Sequence, residues 1–182
     1  MDTKPSLSEV FWQGVGYLPV VALIGAVVFG IVMLIRFFIK IVKQRQPKAI
    51  VYFILIIVCV AIMAVSWIFN MGWLRLALTF TTLPIVHAVV FAVVTGKALF
   101  YISLSKKLEK YTLLSFITYV GTYLLLPDGG DYGEMYALFT LIKSNVVAAV
   151  AMVLSFACLI ATIVFLSYCS IETKKTYVKK NA

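Results

Sequence analysis

Residues 50–69, IVYFILIIVCVAIMAVSWIF, form a run of 20 residues that contains no charged side chain. A helix of about 20 apolar residues is long enough to cross the roughly 30 Å hydrocarbon core of a bilayer. Inside that core the backbone must satisfy its own hydrogen bonds, so an isolated spanning segment is helical. The stretch therefore predicts a transmembrane helix, and it indicates that lipid is the solvent of the neighbouring segments.

Apolar character extends outward from this stretch over most of the chain. Hydrophobic residues make up 63% of the 182 residues, and the mean hydropathy is +1.06. The pattern predicts an all-α, polytopic transmembrane helical bundle with five spans, at about residues 18–39, 50–69, 74–95, 109–126 and 144–167. We expect the third span to be tilted and kinked at Pro84. The fourth is short enough to leave open whether it crosses fully.

The polar segments are too short to bury cores of their own. Residues 1–182 are therefore predicted to form a single integral membrane domain. It carries a short extracytoplasmic N-terminal segment (1–16), an extracytoplasmic acidic loop (127–142) and a basic cytoplasmic tail (170–182). Within the loop, residues 135–142 are amphipathic, and we interpret them as an interfacial helix or as the first turns of the fifth helix.

The distribution of charge predicts the orientation. The formal net charge is +9, and basic residues concentrate between spans one and two, between spans three and four, and in the tail. Because lysine and arginine favour the cytoplasmic side, we expect an outside N-terminus and a cytoplasmic C-terminus in the plasma membrane. The expected partners are the lipid bilayer, anionic lipid at the cytoplasmic face, and a membrane protein or a second copy of the chain. Nucleic acid is not expected, since the membrane accounts for the charge.

Polar side chains within the spans are the candidate ligand-binding or pore-lining residues. His87, the only histidine, either faces a cavity or bonds a neighbouring helix. Arg75, near the outer interface, either binds an anionic group, pairs with an outer carboxylate or snorkels. The other candidates lie on polar stripes of spans two to four: Ser66, Asn70, Thr79, Thr82, Thr118 and Thr122. If these faces converge, they line a polar cavity in the outer half; the alternative is ordinary hydrogen bonding between helices.

Small residues recur at four-residue spacing in spans one and three. Such stripes let helices approach closely, either within the fold or against a partner. The candidate packing residues are Ala22, Ala26, Gly30, Ala88, Ala92 and Gly96.

Catalytic and cofactor motifs do not stand out in the sequence. The three cysteines lack the short spacing of a zinc site, and no Asp or Glu lies in the middle of a span. Asp128, Asp131 and Glu134 are weak candidates for a metal site, because a solvated glycine-rich turn explains them better. We therefore predict no catalytic residue, no metal and no cofactor.

These observations favour a non-enzymatic integral membrane subunit that binds a partner protein, a lipid or a small ligand through an outer-half polar cavity. The alternative is a small oligomeric transporter or channel protomer, with Arg75, His87 and the span-three threonines around a symmetry axis. A third hypothesis is a membrane-embedded enzyme that acts on lipid, with His87 or the outer-loop carboxylates as acid or base.

Overall fold

The computed structural model describes residues 24–25, 28–43, 46–69, 72–127, 135–137 and 141–181. Within these residues the chain is a bundle of helices. In chain order they are α1 (residues 28–43), α2 (Pro47–Phe69), α3 (Trp73–Phe80), α4 (Leu83–Leu99), a 3-10 turn (Ile102–Leu104), α5 (Lys106–Leu125) and α6 (Asn145–Asn181).

Two of the described helices, α2 and α6, are long and apolar enough to cross a membrane. The bent pair α3–α4 makes a third if it is one span. The described residues therefore form a helical bundle with two or three candidate membrane spans, which agrees with the predicted class of membrane protein. The helix α2 contains the whole of the uncharged stretch 50–69, because no residue in that stretch breaks a helix.

The third predicted span is a pair of helices and not one kinked helix. The axes of α3 and α4 differ by 70° at Thr81–Thr82, and Thr82 adopts a left-handed φ of 56°. Pro84 lies in the first turn of α4, where its missing N–H removes no helical hydrogen bond. The Thr81 hydroxyl donates to the carbonyl of Leu78 at 2.6 Å and so closes α3. The expected kink at Pro84 is wrong, because this proline begins a helix instead of bending one.

In the described part of residues 135–142, both alternatives, an interfacial helix and the first turns of the fifth helix, are also wrong. Tyr136–Ala137 pairs with Ile142–Lys143 as two short antiparallel strands. The Met135 N–H donates to Asn145 Oδ1 at 2.9 Å, which ties the strand pair to the first turn of α6. A segment of this length is too short to form a stable helix without support, so pairing satisfies its backbone groups instead.

The helices α5 and α6 pack antiparallel along the length of α5. Near the end of α5, Ser155 Oγ donates to the carbonyl of Thr122 at 2.7 Å. At its start, Ser105 Oγ donates to Glu172 Oε1 at 3.0 Å. One face of the middle of α5 is buried: Tyr119 is fully covered, whereas Ile117 on the other face is exposed. Polar side chains are tolerated in this central helix because neighbouring helices satisfy them.

Several contacts bring the basic connections to one end of the bundle. The Lys48 ammonium forms an ion pair with Glu109 at 2.7 Å, which joins the starts of α2 and α5. The Lys40 ammonium lies over the Phe100 ring, 5.4 Å from its centroid, and joins the ends of α1 and α4. The contact between Ser105 and Glu172 adds the far end of α6. We call this part of the molecule the basic end.

Candidate functional site

At the opposite end of the bundle, the polar side chains surround Arg75, which is 0% exposed. Its Nη1 donates to the Ser66 carbonyl at 2.6 Å and to Ser66 Oγ at 2.9 Å. Its Nη2 donates to the carbonyls of Tyr123, at 3.2 Å, and of Leu126, at 2.5 Å. Snorkelling, one of the alternatives for Arg75, is therefore wrong, because carbonyl oxygens inside the bundle take the place of water around the guanidinium.

The positions of these carbonyls at helix ends explain why they accept hydrogen bonds from an arginine. The last four carbonyls of a helix have no partner within that helix, and they carry partial negative charge. Ser66 lies in the last turn of α2, Tyr123 lies in the last turn of α5, and Leu126 directly follows α5. Arg75 therefore bridges the carboxyl ends of two helices with one planar, five-donor group.

Two further candidates belong to this cluster. The Ser66 hydroxyl donates to the Tyr123 carbonyl at 2.8 Å. The Thr79 hydroxyl donates to the Arg75 carbonyl at 2.8 Å and accepts from Trp67 Nε1 at 2.9 Å. The structure thus brings Ser66, Arg75 and Thr79 together, and it uses their polar atoms to hold α2, α3 and α5 in place.

Among the described residues, the candidate Thr82 does not join the Arg75 cluster. The hydroxyl of Thr82 donates to the carbonyl of Thr81 at 2.7 Å, within the turn between α3 and α4. Asn70 lies outside the described residues.

His87 lies in the core and bonds a neighbouring helix. It is 9% exposed, and its Nδ1 is 2.8 Å from the Tyr123 hydroxyl. The His87 ring centroid lies 5.1 Å from that of Tyr119 and 5.7 Å from that of Tyr123. Within the described residues, His87 Nε2 and the Tyr119 hydroxyl are buried without a hydrogen-bond partner. Tyr119 and Tyr123 are absent from our sequence-based candidates; their four-residue spacing on α5 was the available signal.

Thr118 and Thr122 face α6, not the Arg75 cluster. Thr162 Oγ1 donates to Thr118 Oγ1 at 3.0 Å, and Ser155 Oγ donates to the Thr122 carbonyl at 2.7 Å. Gly121, between them, permits the close approach, since a Cβ there would lie 2.9 Å from a sulfur of α6. The hydroxyl of Thr118 therefore takes part in interhelical hydrogen bonding, the alternative to a shared polar cavity. The hydroxyl of Thr122 donates to the Thr118 carbonyl of its own helix at 2.9 Å, and only its backbone carbonyl accepts from α6.

Two adjacent cavities are lined almost entirely by apolar side chains, and the second reaches Trp67 and Thr79 beside the Arg75 cluster. One, of about 170 Å³, lies between α1, α2 and α4. A second, of about 270 Å³, adjoins it, and Met63 and Ile85 line both. Three predicted packing residues line the first cavity: Gly30, Ala88 and Ala92.

The other packing candidates have different positions. Gly96 lies beneath the ring of Phe37, so the α4 stripe packs against α1 within the fold. Ala22 and Ala26 lie outside the described residues.

The weak metal candidates Asp128, Asp131 and Glu134 also lie outside the residues that the structure describes. Among the residues that it does describe, no group of three His, Cys, Asp or Glu side chains could hold a metal ion. Comparison of the chain with protein-family models, with curated proteins and with solved structures gives no match.

Proposed function

We propose that this chain is a non-enzymatic integral membrane subunit that binds the apolar chain of a membrane lipid between α1, α2 and α4. The observation that carries the proposal is the pair of adjacent apolar cavities that share Met63 and Ile85. Both are half-open clefts at the surface of the bundle, so a lipid chain can reach them from the membrane. A hydrocarbon chain would fill this space and supply the missing dispersion contacts.

A lipid chain fits these cavities better than a partner helix does. Ala88 and Ala92 are only 9% and 5% exposed, so their Cβ atoms lie below the surface of the bundle. A helix about 10 Å across could not reach them without separating α1 from α4. A single acyl chain is narrow enough to enter beside Ile31 and Ile68, which border the cavities and are 51% and 70% exposed.

The transporter or channel alternative draws less support from the geometry. A pore lined by Arg75 and His87 would need both side chains to face a shared axis. Arg75 is instead committed to carbonyls of α2 and α5, and His87 to Tyr123. The lipid-enzyme alternative would need a second acid or base beside His87, whose ring neighbours are tyrosines.

We also propose that the chain crosses the plasma membrane five times and that its N-terminus lies outside. The supporting observation is that the start of α2, the start of α5 and the far end of α6 meet at the basic end. The antiparallel packing of α5 against the candidate span α6 also favours a full crossing by α5.

Reporter tags test this topology directly. With five crossings, a tag at the N-terminus should report the outside and a tag at the C-terminus the cytoplasm, because lysine-rich segments stay on the cytoplasmic side. Protease accessibility from each side of a sealed vesicle is the measurement. Termini that report the same compartment would contradict the odd number of crossings.

The lipid proposal is tested by photolabelling. The protein is reconstituted with phosphatidylcholine that carries a diazirine in one acyl chain, irradiated and digested, and the labelled peptides are identified by mass spectrometry. We expect labelling to concentrate on residues 60–68 and 85–92. Ala88→Phe should reduce it several-fold there, because the larger side chain fills the cavity.

The matched control is Val90→Phe on the same helix, since Val90 is 45% exposed and does not line the cavity. Ala92→Val is a milder filling variant for the case that Ala88→Phe does not fold. Equal labelling of all lipid-facing helices, or labelling that survives both filling variants, would show that the cavities hold no lipid chain.

A further inference from the structure

A second, polar cleft lies at the basic end, far from the apolar cavities. It has a volume of about 450 Å³ and lies between the start of α5 and the last turns of α6. This volume falls within the usual range for ligand clefts, roughly 300–1,000 Å³. The lining residues are Leu104, Ser105, Lys107, Glu172, Lys175, Thr176, Lys179 and Lys180.

The cleft exists because α6 continues beyond its apolar part. With 37 residues, α6 is about 55 Å long, against roughly 30 Å of hydrocarbon in a bilayer. Its basic last turns therefore extend past the lipid chains. The predicted basic tail 170–182 is, over residues 170–181, the continuation of the helix α6, which forms one wall of the cleft.

Contacts on both sides of the cleft hold its walls in position. The ring of Tyr101 packs edge-on against that of Tyr177, with centroids 6.1 Å apart. The Lys180 ammonium lies 5.8 Å from the centroid of the Tyr101 ring. The Ser105 hydroxyl donates to Glu172 and also accepts from the Leu108 N–H, so it links both walls to the first turn of α5. The cleft is thus formed before any ligand arrives.

The charge of the cleft is strongly positive. Four lysine ammonium groups face one carboxylate, for a formal net charge of +3. That carboxylate, Glu172, accepts a hydrogen bond from the Ser105 hydroxyl. Among the residues that the structure describes, none of the four lysines forms an ion pair. Four like charges around one cleft repel one another, and an anion that lies between them would remove that cost.

We propose that this cleft binds a phosphate-bearing anion, either the headgroup of an anionic lipid or a free phosphate compound. Several ammonium groups can share the oxygens of one phosphate, and lysine is a common phosphate ligand. Leu104, which is 57% exposed, also lines the cleft and offers an apolar contact for the part of a lipid next to its headgroup. This site is independent of the acyl-chain cavities.

Binding isotherms of the full chain in neutral detergent micelles test the proposal, because such micelles have no anionic surface of their own. One arm titrates phosphatidic acid and the other inorganic pyrophosphate. We expect the double variant Lys175→Gln, Lys179→Gln to bind about twenty-five-fold more weakly, since each lysine near a phosphate strengthens binding by about five-fold.

The matched control is Lys110→Gln, Lys174→Gln, which removes the same charge from exposed positions of α5 and α6 outside the cleft. Its affinity should change by no more than about two-fold at physiological salt, because screening weakens distant charges. If only phosphatidic acid binds, the ligand is the headgroup of an anionic lipid. If pyrophosphate binds equally well, the ligand is a free phosphate compound. Absence of binding in both arms, or equal losses in the two double variants, would overturn the proposal.

Discussion

Arg75→Met should lower the free energy of unfolding by about 3 kcal/mol or more, the largest effect that we expect of any single substitution. The variant keeps an aliphatic side chain but removes the guanidinium donors to the carbonyls of Ser66 and Leu126, and it leaves the Tyr123 carbonyl with the Ser66 hydroxyl alone. Each buried acceptor left without a donor costs roughly 1–3 kcal/mol. Chemical unfolding in detergent, followed by helical circular dichroism, measures the loss.

Arg36→Met is the matched control, because Arg36 is exposed on α1. It should change the free energy of unfolding by about 0.5 kcal/mol or less, as is usual for surface positions. Arg75→Lys should fall between the two, since an ammonium group cannot bridge both helix ends in one plane. A stability of Arg75→Met close to that of Arg36→Met would show that the carbonyls find other donors and that the bridge is not structural.

Gly96→Ala is expected to have the second-largest effect, a loss of about 1–3 kcal/mol. A Cβ at position 96 would overlap ring carbons of Phe37, and that ring is 6% exposed and packs edge-on against Phe100. The ring therefore has little room to move aside. The same unfolding experiment measures the cost.

Two controls separate this overlap from a general effect of replacing glycine. Nothing lies within 4 Å of a Cβ added at Gly25, so Gly25→Ala should be neutral or slightly stabilising through helix propensity alone. Combining Gly96→Ala with Phe37→Leu should recover part of the loss, because the smaller side chain leaves room for the methyl group. Strict additivity of the two substitutions would contradict a direct contact.

The membrane class and the main helices follow from the sequence because hydropathy and helix length are local properties. The uncharged run 50–69 lies within α2, and the predicted span 109–126 corresponds to α5 at Lys106–Leu125. The small stripe at Ala88, Ala92 and Gly96 was recognisable as a packing face for the same reason, since four-residue spacing alone places residues on one side of a helix.

The break at Thr81–Thr82 was harder to predict. A proline within an apolar run is compatible with a kink, with a break, or with the start of a new helix. The choice depends on how the preceding turn is closed, here by the Thr81 hydroxyl and by the left-handed Thr82. Neither feature has a strong signal in the chain.

By itself, then, the sequence determined that lipid surrounds the apolar helices, that the chain is helical, and which segments carry the basic clusters that meet at one end. Only the tertiary structure decided what each polar face meets. Arg75 bonds the ends of α2 and α5, while Thr118 and Thr122 turn to α6. The physical reason is that helical periodicity shows which side chains share a face. The hydrogen-bond partner of each side chain depends on which helix packs against that face. That packing depends on contacts between residues far apart in the chain.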